Sequence, residues 1–394
     1  MKSIVRARQL AVASILAAAA AAALLGAGPA QAGLFGKAKP KIPVYVPPPV
    51  SLPARVVQAA AVYEAYVDSA SAITAQFADG ATVSSKVRIG AAYEAQQMQR
   101  GEAAYAAIAA LQDPAFVAAV RVYAADASSR TLVVGEIMKD PAYVLGIKGA
   151  DSAAALAAHA LDAHGMRVRV AGERVKQSAY DVQKQAWSKV AVTDRDGRMA
   201  EAKALSLSPR TASPEAVARL QMASSGQAPM PLMGGTSLTG PAPEKALPLI
   251  PPQVTPSALT PASTGGAPAT LTPPYTPLVT RGLAAAALAV LGEGGEANSD
   301  TIWAVLNEPN QGMCFNMAKL NLYQCLSVAK PYYEDVFCLG QHILIDTGQC
   351  IVRGAGVQKI APVVLAERPS AVAYTASKTP VRRAASKKPA GKKK

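Results

Sequence analysis

Four cysteines, Cys314, Cys325, Cys338 and Cys350, sit in one stretch of a 394-residue chain, with ten, twelve and eleven residues between them. A thiol can ligate a metal, attack a carbonyl or pair with a second thiol, and spacing decides among these. An even number in one short region reads as two disulfides in an oxidising compartment. If 315–329 is helical, Cys314 and Cys325 lie about 20° apart around the axis but about 16 Å apart along it. A disulfide needs α-carbons within about 7 Å, so these two do not pair. Lys330-Pro331 breaks that helix, and 332–345 can form a second one. In the antiparallel hairpin that results, Cys325 meets Cys338 inside an outer Cys314–Cys350 pair. Strict helix would turn Cys350 about 120° away from Cys338. A turn at Thr347-Gly348 is expected to swing it back.

Metal is the sharper alternative for the same residues. Cys338 and His342 are four apart on one helical face, and Cys314 and Cys325 would complete a four-ligand zinc set. Zinc knuckles place two such close pairs, and only one exists here, so disulfides are the favoured reading. His159 and His164 are five apart, about 140° around a helix, which is poor geometry for chelation. Asp162 lies between them, but no motif places a serine or cysteine nucleophile, and a G-x-S-x-G elbow is absent. The Gly292–Gly295 run lacks the lysine and the strand-to-helix context of a phosphate loop. No cofactor is expected. An envelope enzyme with its site near His159 and His164 remains the alternative function.

The hairpin layout is similar to the twin-cysteine coiled-coil-helix family, which uses nine-residue gaps on both helices where this chain has ten and eleven. Separately, the stretch from Met317 through Cys325, Lys330-Pro331 and Cys338 to His342 resembles the C-terminal module of an uncharacterised group of exported alphaproteobacterial proteins. That resemblance extends to the region around Asp113-Pro114 and to 179–189. It implies an architecture and no activity.

The elements that would position these residues are helical. Apolar side chains make up 51% of the chain but aromatics only 5%, because alanine supplies much of the count; such a chain forms helices readily. From Ala54 the residues Val56, Ala60, Tyr63, Val67, Ala70 and Phe77 track one helical face, and Gly80 is expected to end that helix. A second helix is expected over 84–111. Asp113-Pro114 and Asp140-Pro141 both read as helix starts, an Asp cap with proline in the first turn, and suggest a small duplication. A long helix is expected from 151 to 190, interrupted near Gly165, with Val168, Val175, Val182 and Lys189 along one seam. A last helix covers 194–205. Residues 54–207 thus read as a helical bundle domain whose aromatics fill its core.

Residues 208–280 hold 15 of the 30 prolines and little charge, the composition of a disordered linker, with a short helix over 214–222 as the possible exception. A four-cysteine module over 281–361 follows, opened by a short apolar helix at 283–291. The fold class is therefore all-α: a helical bundle plus a small disulfide-stapled hairpin module, separated by a long disordered linker.

At the N-terminus, Lys2, Arg6 and Arg8 precede an apolar run from Leu10 to Leu25 and then Ala30-Gln31-Ala32. That is a signal peptide cleaved after Ala32. No later stretch reads as a membrane span, so no transmembrane helix is expected after cleavage. A proline-rich stalk over 33–53 follows. The net charge of +14 is concentrated at the ends: 54–207 carry 17 basic and 16 acidic groups, whereas the last 33 residues carry nine and one. A nucleic-acid-binding domain would carry its charge on one folded face, which argues against nucleic acid. The basic tail over 362–394 reads as disordered. Lys378, Arg382, Arg383, Lys387, Lys388, Lys392, Lys393 and Lys394 would tether it to an anionic envelope surface. The expected function is that of an exported, non-enzymatic protein of the periplasm or cell envelope. It would bind or scaffold an unknown protein partner or the anionic surface itself.

Overall fold

Alanine loses no side-chain entropy in a helix, and its small size lets helices approach closely. In the computed structural model, which describes residues 49–227 and 271–357, there are thirteen α-helices and no strand among the described residues. The first, α1 (Ala54–Ser71), buries Val56, Ala60, Tyr63, Val67 and Ala70, the face expected. Gly80 does not end it. The Asp79 carboxylate accepts from the Thr82 backbone N–H, and α2 (Gly80–Ala91) begins there. The expected helix over 84–111 is likewise two, because the Glu94 carboxylate accepts from the Gln96 and Gln97 amides and starts α3 (Ala95–Ala110).

Asp113 caps α4 (Pro114–Ala124) through the Phe116 amide and buries Phe116. The matching Asp140-Pro141 opens only a 3₁₀ turn, Pro141–Gly146, after α5 (Ala127–Lys139), and Tyr143 points outward. The resemblance between the two sites ends at the cap. The long helix α6 (Ala150–Val182) runs through Gly165 without a break. Its seam holds at Val168, Val175 and Val182 and stops there, since Lys189 is exposed beyond the helix end. α7 spans Arg195–Leu207, and α8 (Pro214–Ser224) packs Leu220 and Ala223 against α1 and α3.

The second half supplies the centre. α9 (Pro277–Leu288) is buried at every position except Pro277 and Arg281, and it lies against α3, α6 and the 3₁₀ turn. A helix that is apolar on all sides needs cover on all sides. After α10 (Ser299–Val305), the hairpin forms from α11 (Pro309–Val328) and the helix α12 (Tyr332–Cys338), which continues through a π-helical segment, Leu339–Ile345, into α13 (Asp346–Ala355). α13 and the π segment lie along α6, and this contact is close because glycines line it. A Cβ on Gly165 would stand 2.7 Å from the Gly348 carbonyl oxygen, and one on Gly340 2.4 Å from the Lys176 nitrogen.

One hydrophobic core therefore runs through residues from both sides of the supposed linker, and the described residues belong to one compact unit. The expected division into a bundle at 54–207 and a separate module at 281–361 is corrected: the module completes the bundle's core. The first and last parts of 208–280, including α8 and the start of α9, belong to this body. Residues 228–270, the leader with nearly all of the stalk, and the basic tail from 362 onward lie outside the described residues.

Candidate functional site

The cysteines pair as the hairpin arithmetic requires. Cys325–Cys338 and Cys314–Cys350 each hold their α-carbons 5.7 Å apart. The device that turns Cys350 back toward α11 is not a turn at Thr347-Gly348, since both lie inside α13. It is the π segment: an i→i+5 stretch inserts roughly one extra residue into the helix and sets its register back by about 100°. With every thiol in a disulfide, the zinc reading fails, and His342 instead places Nδ1 2.8 Å from the Asp346 carboxylate. Such disulfides mark an oxidising, non-cytoplasmic setting.

The two bonds fasten α11 near its start and near its end to one partner helix. Further contacts fix both termini. The Glu308 carboxylate accepts from the Gln311 amide at the N-terminus. At the C-terminus, Arg195 donates to the Ser327 and Ala329 carbonyls, at 2.6 and 3.0 Å, and Arg198 donates to the Leu326 carbonyl. Guanidinium groups there satisfy unpaired carbonyls and complement the helix dipole. Arg198 also forms a buried ion pair with Asp335 of α12. Burial pushes the Asp335 carboxyl up to about 6 against the pull of Arg198.

Beneath the helix lies a polar cluster that sequence reading missed. Lys319 is 6% exposed. Its Nζ donates to Ser206 Oγ at 2.8 Å and the Ala91 carbonyl at 3.1 Å, and sits 3.5 Å from the Tyr93 ring centre. Desolvation lowers its pKa to about 7. A serine beside a depressed lysine has the composition of a nucleophile and base. Here Ser206 is itself buried and donates to the Ala202 carbonyl one turn back, so the pair closes the interior. Tyr93 continues the cluster, its hydroxyl 3.0 Å from Thr347 Oγ1.

The outer face of α11 is the unusual one. The exposed residues of α11 are Pro309, Asn310, Met313, Asn316, Met317, Leu320, Gln324, Ser327 and Val328, with no charge among them. Met313, Met317, Leu320 and Val328 are 63, 48, 45 and 72% exposed. At about 100° per residue all nine fall within an arc of about 120°. At its C-terminal end the face meets a shallow, mainly apolar groove of about 240 Å³ lined by Tyr180, Val328, Tyr333, Phe337 and the Cys325–Cys338 disulfide, with Gln183 and Glu334 at its polar side. The sequence carried a signal for this: Lys319 is the one charged residue between Glu308 and Lys330.

The histidines of the alternative site part company on α6. His159 is partly exposed, whereas His164 is buried against the rings of Tyr63 and Tyr105, 5.6 and 4.7 Å away between ring centres. Desolvation lowers the His164 pKa to about 3, which keeps it neutral. Asp162 is held above its ordinary value, first by burial. The eight basic tail residues lie outside the described residues. No protein-family model matches this chain, and the comparisons found no similar curated protein or solved structure.

Proposed function

We propose that this is an exported protein of the periplasm or cell envelope that works by presenting a binding surface rather than by catalysis. The observation that carries the reading is α11. Two disulfides, an N-terminal carboxylate cap and two arginines at its C-terminus immobilise it, while its solvent face is uncharged and exposes Met313, Met317, Leu320 and Val328. Exposed contiguous apolar surface is uncommon without a partner, and a surface fixed before binding loses less entropy on binding. Methionine adapts to irregular partners. The leader-like N-terminus and the disulfides support export, and the resemblance of 317–342 to exported proteins agrees with it. The eight basic residues from Lys378 onward would add attraction to an anionic envelope surface, about 1 kcal/mol each at most and less in salt. Among the described residues no single helix is long and apolar enough to cross a membrane.

The test is fractionation of expressing cells with sequencing of the mature N-terminus and thiol labelling. Export predicts a chain beginning at Gly33, in the envelope or periplasmic fraction, with all four cysteines blocked. An uncleaved chain in the cytoplasm with reactive thiols would contradict it.

A further inference from the structure

The outer face of α11 has an internal symmetry that suggests its occupant. Its exposed positions 313, 317, 320, 324 and 328 step by four, three, four and four residues, close to the spacing of a seam between two packed helices. They are also balanced about a point between Leu320 and Asn321. When the helix lies antiparallel on a copy of itself, Met313 falls opposite Val328, Met317 opposite Gln324, and the two Leu320 side chains meet near the axis. A two-fold contact uses the same patch on both copies and so must be self-complementary. The patch meets the strictest condition for that. A charge near a two-fold axis faces its own copy and repels it, and none of the nine exposed α11 residues is charged.

The ends fit as well. Antiparallel pairing carries each Met313 to the other copy's Val328, beside the groove of Tyr180, Tyr333 and Phe337. An unbranched thioether fills such an irregular apolar space readily. We infer that α11 is a two-fold, antiparallel docking surface for a second copy of this chain. The inference rests on the reading of α11 as a binding surface and names its partner. The overlap from 313 to 328, about 24 Å long and about 12 Å wide on each copy, buries about 600 Å² in total, and the two grooves add to it. That lies below the range of stable specific contacts, so the dimer is a transient one, with a dissociation constant in the upper micromolar range.

Sedimentation velocity on the oxidised chain as purified, over about 1 to 200 µM, reads this directly. Monomer converts to dimer across that range. Leu320→Lys sets two like charges facing each other at the axis and weakens association at least about tenfold. Leu132→Lys, on exposed α5, leaves it unchanged. Met317→Glu weakens association about fivefold, and adding Gln324→Lys restores it, because antiparallel pairing brings 317 of one copy to 324 of the other. An unchanged thermal midpoint shows that each variant still folds. A chain that stays monomeric throughout, or a dimer indifferent to Leu320→Lys, overturns the inference. If the pure chain is monomeric but a crosslinker at position 320 traps one different protein, the binding-surface reading stands and the dimer fails.

Discussion

Lys319 points into the molecule on a helix whose opposite, solvent-facing side holds no charge. Burying an ammonium group is expensive, and its partners here are a carbonyl, a hydroxyl and an aromatic face, none of them anionic. The folded pKa, about 7, lies below that of the unfolded chain, about 10.4. The folded state therefore binds fewer protons across that interval, and stability rises with pH through it, by at most about 1.4 kcal/mol per pH unit. Below about pH 7 the full cost of the buried charge is present. Above about pH 10 the trend reverses, because burial pushes the phenols of Tyr63, Tyr66, Tyr93 and Tyr105 up and only the unfolded chain ionises. Lys319→Met keeps the apolar stem and removes the charge. Urea titrations between pH 6 and 9.5 should show the wild-type slope lost in the variant, with a gain of about 1 kcal/mol at pH 6. A variant that keeps the slope would show that another group carries it.

At the scale of elements, the close contact between α6 and the α12–α13 helix depends on glycine, and two substitutions with the same chemistry should act in opposite directions. Alanine is better than glycine in a helix by about 1 kcal/mol. At Gly135 on α5 nothing lies within 4 Å of an added methyl group, so Gly135→Ala should stabilise by about that amount. At Gly165 the methyl meets the Gly348 backbone oxygen at 2.7 Å, and neither backbone can yield without moving a helix. Gly165→Ala should destabilise by about 2 kcal/mol despite its better propensity. Thermal or urea unfolding of the two variants checks both signs; a stabilised Gly165→Ala would mean the helices are not in backbone contact. Several elements were legible in advance. Asp113-Pro114 carries its cap and first turn in two residues, and helical rise excludes a Cys314–Cys325 bond, so that an antiparallel hairpin pairs Cys325 with Cys338 inside Cys314–Cys350. The π segment was not, because an i→i+5 stretch has no residue signature and is set by α6 and α11 on either side. Lys319 was missed because amphipathic reading assumes that charge faces water.

Across the whole molecule, the division at residues 208–280 failed for one physical reason. The helix α9, rich in alanine and leucine, reads locally as a short apolar stretch, while its burial is decided by helices α3 and α6, which end at Ala110 and Val182, far earlier in the sequence. Proline content marked where the chain leaves regular helix but not where the core ends. Cutting the backbone once between 228 and 270, at an inserted protease site, should leave the two pieces associated and unfolding in one transition. Two transitions, or separation on dilution, would restore the two-module picture.

On the proposed reading, this body holds the outer face of α11 against a partner. The most direct measurement places a photo-crosslinking residue, in living cells, at Met313, Met317 or Leu320 of α11, and, as the control, at Leu132 of α5, which is at least as exposed as each of them. A discrete adduct is expected from the three α11 positions and none from Leu132. Equal trapping at all four positions, or no adduct from α11, would contradict it.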